Sequence, residues 1–359
     1  IGFQFFADAG TLVNATGNYV NAYTGTTTAF DTTNKLTPTM KTFYDTQLLE
    51  NARPELIFAQ LAKKQALPRN HGKSVEWRKW NTLPEAETLT EGVIPTGQKL
   101  GMSSMTQDIV QKGLYVTISD QLELHAIDNA ILGATEELGA SGGMSVDKMV
   151  RNEVVGGTVK QLCDKVNATT GVHTEVTTRS GMDTTSVLTP TEINKAVTTL
   201  KKMHAPTING KYVAVIHPSV AYDLRQSKEW IEAHKYAATT EMFNGEIGEL
   251  HGVRFIESTN QKIWNDSTCP VKTEAASGNP AVYYSVYATL VMGKDAFAMI
   301  DPDGGNMEMI VKTKDEAGGP LNQFSTVGYK YEGAAKILYE DRMVRIESLS
   351  AYSATDPAN

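Results

Sequence analysis

An α+β architecture is what the sequence predicts, and three observations lead to it. Helical and strand-like segments mix along the 359 residues without the strand–helix–strand rhythm of a doubly wound sheet. Two runs with strand periodicity, 74–80 and 102–118, flank a connection (81–101) that has no apolar run of its own. A helical pattern from about 128 to 155 would reach ~40 Å at about 1.5 Å per residue.

The elements follow in chain order. Residues 1–38 are rich in Thr, Asn, Gly and Ala with scattered aromatics (Phe3, Phe5, Phe6, Tyr19, Tyr23, Phe30). They are poor core material and read as an N-terminal arm that orders on contact with something else. In 39–71, Met40, Phe43, Tyr44, Leu48, Leu49 and Ala52 fall at helical spacing, and Pro54 opens a second helix running to Ala66.

Residues 72–118 form an extended hairpin loop. Val75 and Trp77 alternate with Glu76 and Arg78, one pair to each face. The connection carries Pro84, Gly92, Pro95, Gly97 and Gly101, and a loop of that length is uncommon inside a compact domain. A two-stranded ribbon is marginal alone, and each arm here could reach ~60 Å at about 3.3 Å per residue. It needs a surface to lie on, and a neighbouring copy of the same chain is one candidate. Val75, Trp77 and Trp80 are then the expected packing contacts. Arg78, Glu85, Glu87 and Glu91 are candidates for ion pairs between copies.

In 119–189, Ser119 can cap a short helix before the long one. Gly133, Gly139, Gly142 and Gly143 cost helix stability, so the long helix either breaks near Gly142–Gly143 or lets another backbone approach there. In 190–304, Thr189-Pro190-Thr191-Glu192 reads as a capping box with proline at the first helical position, starting a helix to about His204. Tyr212 to His217 is a continuous apolar run typical of a buried strand, and His217-Pro218-Ser219 opens another helix. Two strands meet at a His251-Gly252 turn, and further strands fill 282–300 before a turn at Asp301-Pro302-Asp303-Gly304. Residues 305–359 hold strands at 307–313, 325–337 and 343–348, then a C-terminal tail.

Composition removes whole classes of function. A 41% hydrophobic chain of this length can bury a large core, and a net charge of −8 argues against a dedicated nucleic-acid binder. A mildly acidic wall is still suited to enclosing nucleic acid without sticking to it. Two cysteines, Cys163 and Cys269, make neither a disulfide framework nor a zinc site and read as unpaired thiols in a reducing cytoplasm. No run approaches the ~20 apolar residues of a membrane span, so no membrane partner is expected. The opening Ile1-Gly2-Phe3 lacks an initiator Met and a secretory signal, which suggests that a few leading residues are missing.

The motifs that would carry chemistry fail on inspection. Gly92 to Lys99 has phosphate-loop spacing, but Gln98 stands where the lysine belongs. Asp301, Asp303, Asn306 and Glu308 miss the spacing of a calcium loop. His217 with Ser219 and Asp223 has no Gly-x-Ser-x-Gly elbow. The other histidines show no metal-ligand spacing, and Trp77, Trp80, Trp230 and Trp264 form no base-stacking stripe. No catalytic residue, cofactor or metal ligand is expected.

The order of parts resembles a tailed-phage major capsid protein with the Hong Kong 97-type fold. More narrowly, 43–55, 73–80, Ile216-His217-Pro218-Ser219, 245–258 and Ala335-Lys336-Ile337-Leu338 resemble the coliphage N-four-type major capsid family. The resemblance implies an N-terminal arm (1–38), a helical segment of a peripheral domain (39–71), an extended loop (72–118) and a spine helix with more peripheral domain (119–189). It further implies an axial domain (190–304) and returning peripheral strands with a tail (305–359). It implies self-assembly into pentamers and hexamers, as an icosahedral shell around double-stranded DNA held without sequence-specific contacts. Portal, scaffolding or decoration proteins are implied partners, the virion the location, and the host bacterial cytoplasm the place of assembly. An encapsulin-like nanocompartment shell is the alternative. Some capsids of this fold crosslink a loop lysine; Lys73, Lys79 and Lys99 are available, and no motif selects one.

Overall fold

The structure is a computed structural model that describes residues 14–15, 57–68, 72–81, 83–86, 88–89, 91–92, 94, 97–125, 130–167, 169–234, 246–273, 281–302, 307–317 and 321–359. The expected N-terminal arm beyond 14–15 and the helix expected at 39–53 lie outside the described residues.

The strands are β1 (Asn14–Ala15), β2 (Lys63–Leu67), β3 (Ser74–Trp80), β4 (Met102–Asp108), β5 (Val110–Ser119), β6 (Lys160–Leu162), β7 (Lys165–Val166), β8 (His173–Thr174), β9 (Tyr212–Ile216), β10 (Glu246–Leu250), β11 (Val253–Glu257), β12 (Ile263–Trp264), β13 (Val271–Thr273), β14 (Val282–Tyr283), β15 (Val286–Met292), β16 (Phe297–Pro302), β17 (Glu308–Lys312), β18 (Phe324–Ile337) and β19 (Met343–Ser348). The helices used below are α1 (Ile57–Leu61), α2 (Asp120–His125), α3 (Ala130–Val155), α4 (Pro190–Lys202) and α5 (Pro218–Arg225).

A six-stranded sheet is built around β18. One edge of β18 pairs antiparallel with β5 from Phe324↔Ser119 to Gly333↔Val110. Its other edge is shared between β17 and β16, and β2 adds to β16 in parallel. Val327, Tyr329 and Tyr331 alternate onto one face, where they meet Leu138 and Val146 of α3. Gly328 is required in this ladder, because a Cβ there would stand 2.6 Å from Tyr115 Cβ and 2.9 Å from the Leu114 carbonyl oxygen.

A seven-stranded sheet runs β10-β11-β9-β15-β19-β6, with β12 alongside β15. The apolar run of β9 is buried on both faces. Tyr212, Ala214 and Ile216 face Ile193, Val197 and Leu200 of α4 and Val220 of α5. Val213 and Val215 face Val150 and Val154 of α3, Phe58 of α1, and Ile337. The long helix α3 therefore packs on one sheet with its first half and joins the two sheets with its second.

A buried polar joint fixes that junction. Asp147 accepts a hydrogen bond from Phe58 N at 2.8 Å and another from Asn260 Nδ2 at 2.8 Å. One turn on, Arg151 is 1% exposed and donates Nη1 to the Asn260 carbonyl at 2.9 Å. Burial raises the Asp147 carboxyl above its ordinary range despite these donors, and burial lowers the Arg151 guanidinium.

The structure corrects several expectations. The run 102–118 is two strands: β4 pairs with β3, the chain turns at buried Ile109, and β5 leaves the hairpin for β18. The helix expected to reach Ala66 stops at Leu61, and Lys63–Leu67 becomes an edge strand because β16 offers it a ladder. The helix α3 runs unbroken through Gly142 and Gly143; a Cβ at Gly142 would meet Met307 Cε at 2.8 Å, a side chain and not another backbone. Thr189 is the N-cap residue of α4, but its hydroxyl makes no capping bond, and Glu192 turns to Lys195 (2.9 Å) and to Gln161 (2.7 Å). The two sheets draw strands from both sides of residue 304. Phe297–Pro302 belongs to the six-stranded sheet, and Met343–Ser348 and Lys160–Leu162 belong to the seven-stranded one.

Candidate interaction surface

The hairpin β3–β4 is a ladder of seven antiparallel pairs, from Ser74↔Asp108 to Trp80↔Met102. Its regular part spans ~23 Å at about 3.3 Å per residue, well short of the ~60 Å reach per arm. The base is closed by Ile109 N donating to Lys73 O at 2.9 Å, and the far end by Asn81 N donating to Gly101 O at 2.9 Å. Beyond that, the described residues of 83–100 form neither helix nor strand.

Burial along the ribbon has the period of two that its sequence encodes. On the inner face, Val75 and Trp77 are half-buried and pack against Ile109, Ile300, Ala334 and Leu67 of the same chain. Lys79 lies 5.3 Å above the Tyr339 ring. These residues root the hairpin in its own chain, so Val75 and Trp77, expected from sequence to touch a neighbour, already have partners at home. The outer face has none of this cover. Trp80 is 65% exposed and stands directly opposite Met102, which is 49% exposed.

The expected ion-pair residues divide. Arg78 already holds Glu76 on its own strand, Nε to Oε1 at 3.1 Å, and that bond and charge keep the Glu76 carboxyl below its usual range. Glu85 and Glu91 are exposed and make no ion pair with a described residue. Glu87 lies outside the described residues.

The tip holds what the sequence reading passed over. Leu83 (53%), Leu89 (72%), Ile94 (93%) and Leu100 (53%) stand in solvent. They recur at steps of six, five and six positions, which fits neither helical nor strand periodicity. Further apolar side chains stand about half exposed on β5: Val110, Leu114 and Tyr115. Among the described residues, β1 covers the outer edge of β5 only at Thr117 and Ile118. An uncovered edge of this kind is a pairing site.

The residues weighed for chemistry have structural partners. His217 is the N-cap of α5, its Nδ1 accepting from Ser219 N at 3.2 Å, with its ring 5.0 Å from Tyr287. Burial lowers its pKa, against a smaller opposing pull from Asp356. Asp164, His173 and Glu192 bring ligand atoms within 4.8 Å of one another, from segments too far apart for sequence spacing to reveal. The Lys195 ammonium already bridges the two carboxylates there. Cys163 and Cys269 are buried free thiols, and burial pushes both up.

Residues 104–346 match the sequence model of a family described as phage capsid protein. No curated protein matches the sequence. Among solved structures, the chain is similar to the capsid asymmetric unit of Cyanophage Pam1 (TM-score 0.57, 12% identity, 90% of this chain and 96% of that one). It is also similar to the capsid of Cyanophage P-SCSP1u (0.56, 16%, 84% and 89%) and of Ralstonia phage GP4 (0.55, 14%, 83% and 88%). At such identities the likeness carries the fold.

Proposed function

The chain belongs to the phage capsid protein family, and from that premise we propose that it is a major capsid protein of the Hong Kong 97 type, of the coliphage N-four kind, whose hairpin straps each subunit to the next. The subunits close as pentamers and hexamers into an icosahedral shell around double-stranded DNA. In this reading the six-stranded sheet with α3 is the peripheral domain, the seven-stranded sheet is the axial domain, and 1–38 is an arm to a neighbour. The net charge of −8 suits a wall that encloses DNA without sequence-specific contacts. The particle is assembled in the host cytoplasm, with portal, scaffolding or decoration proteins as further partners.

One observation carries the strap. The hairpin is rooted by its inner face, yet its outer face and tip hold Trp80, Met102, Leu83, Leu89, Ile94 and Leu100 in solvent. Burying Leu89 and Ile94 on a second copy is worth about 3–6 kcal/mol before ordering costs. A shell repeats that contact at every subunit, so many modest interfaces suffice. Glu85, Glu87 and Glu91 would set register more than strength. Deleting 82–101 should leave a folded subunit that forms no regular particles by electron microscopy. Normal shells from that deletion would sink the proposal.

A further inference from the structure

A concavity lies away from the hairpin, on the seven-stranded sheet. It has a volume of about 340 Å³ and is lined mainly by Lys160, Thr177, Thr178, Arg179, Ser180 and Thr268, with Glu347 at its floor. That volume falls in the range of small-ligand sites.

Its floor is rigid and already neutralised. Glu347, 1% exposed, takes two bonds from Arg179, at 2.8 Å from Nε and 2.9 Å from Nη2, and one from Arg345 Nε at 3.0 Å. Arg179 also stacks on Trp264 at 4.0 Å and donates Nη1 to Thr268 Oγ1 at 3.0 Å. The guanidinium plane is thus clamped from several sides, and little ordering cost remains for a ligand to meet.

The rim is open to solvent. The side chains of Lys160, Thr177, Thr178 and Ser180 make no hydrogen bond or ion pair with any described residue. Glu347 is taken up by Arg179 and Arg345, and Asp266 by Thr268 N at 2.8 Å, so neither carboxylate pairs with Lys160. A free ammonium and three free hydroxyls around a fixed guanidinium are the donor set for a tetrahedral oxyanion.

We propose that this pocket binds a phosphate group, with Lys160 supplying the charge, Thr177, Thr178 and Ser180 the hydroxyl donors, and Arg179 the fixed wall. The group can come from free phosphate or from a nucleic-acid backbone. The test is calorimetric titration of the full chain with inorganic phosphate, with chloride balancing the ionic strength, repeated in the presence of a short DNA duplex. The expected result is saturable binding with Kd of about 1 mM, weakened about tenfold in Lys160→Ala. Ser180→Ala, an exposed change that leaves the Arg179–Glu347 clamp alone, should weaken it by a smaller factor. Competition by the duplex identifies backbone phosphate as the source, and its absence identifies free phosphate. Heat that does not saturate, or binding unchanged in both variants, overturns the proposal.

Discussion

Replacing Asp147 by alanine probes the joint that holds the two sheets to α3. The carboxylate is fully buried and accepts from Phe58 N and Asn260 Nδ2, each at 2.8 Å. Alanine leaves both donors buried without an acceptor, at about 1–3 kcal/mol each. It also removes a negative charge whose field supports Arg151, itself 1% exposed. The expected loss is therefore about 3–6 kcal/mol, a large share of ordinary stability. Asp147→Asn keeps the shape and one acceptor and should lose about half as much.

The two variants also differ from wild type in pH dependence. Burial raises the folded-state pKa of Asp147 above its unfolded value. The folded state thus binds the proton more tightly. The group's contribution is fully present below the unfolded value of about 4 and is lost as pH rises through the raised folded value. Asp147→Asn should lack that decline. Guanidinium unfolding of the unassembled subunit, followed from acid to neutral pH, measures both effects. A cost under ~1 kcal/mol for Asp147→Ala would refute the assignment of this network as the joint.

Three further outcomes follow from the geometry. Trp80→Ser with Met102→Ser should change subunit stability by under ~0.5 kcal/mol, since both are exposed, while lowering particle yield seen by sedimentation. Trp77→Ala removes a half-buried anchor and should cost about 1–2 kcal/mol, with proteolysis between 74 and 108 rising in step. Gly328→Ala forces a Cβ to 2.6 Å from Tyr115 Cβ and should cost about 1–3 kcal/mol in thermal unfolding.

The parts legible in sequence were those written in local periodicity. Tyr212–Ile216 announced a strand buried on both faces, and it is one. The alternation of Val75 and Trp77 with Glu76 and Arg78 gave the two faces of the hairpin correctly. Asn209-Gly210 and His251-Gly252 turn the chain with positive φ, as those residues allow. What sequence could not supply is which partner wins. Val110 continues the strand run of Met102, yet β18 captures it. Lys63–Leu67 has poor strand propensity and is held by β16. Thr189 and Glu192 have capping-box spacing, but half-buried contacts with Gln161 and Lys195 draw Glu192 away. The exposed aliphatics of the tip escaped because pattern reading assumes that apolar residues serve their own core. Here they have no core to serve.

The most direct test of the strap is a reconstruction of the assembled particle by electron cryo-microscopy at side-chain resolution. The account predicts that the hairpin crosses a subunit boundary and that Leu89 and Ile94 are buried against a different copy of the chain. It is contradicted if those side chains remain in solvent, or fold back onto their own subunit, in an intact shell.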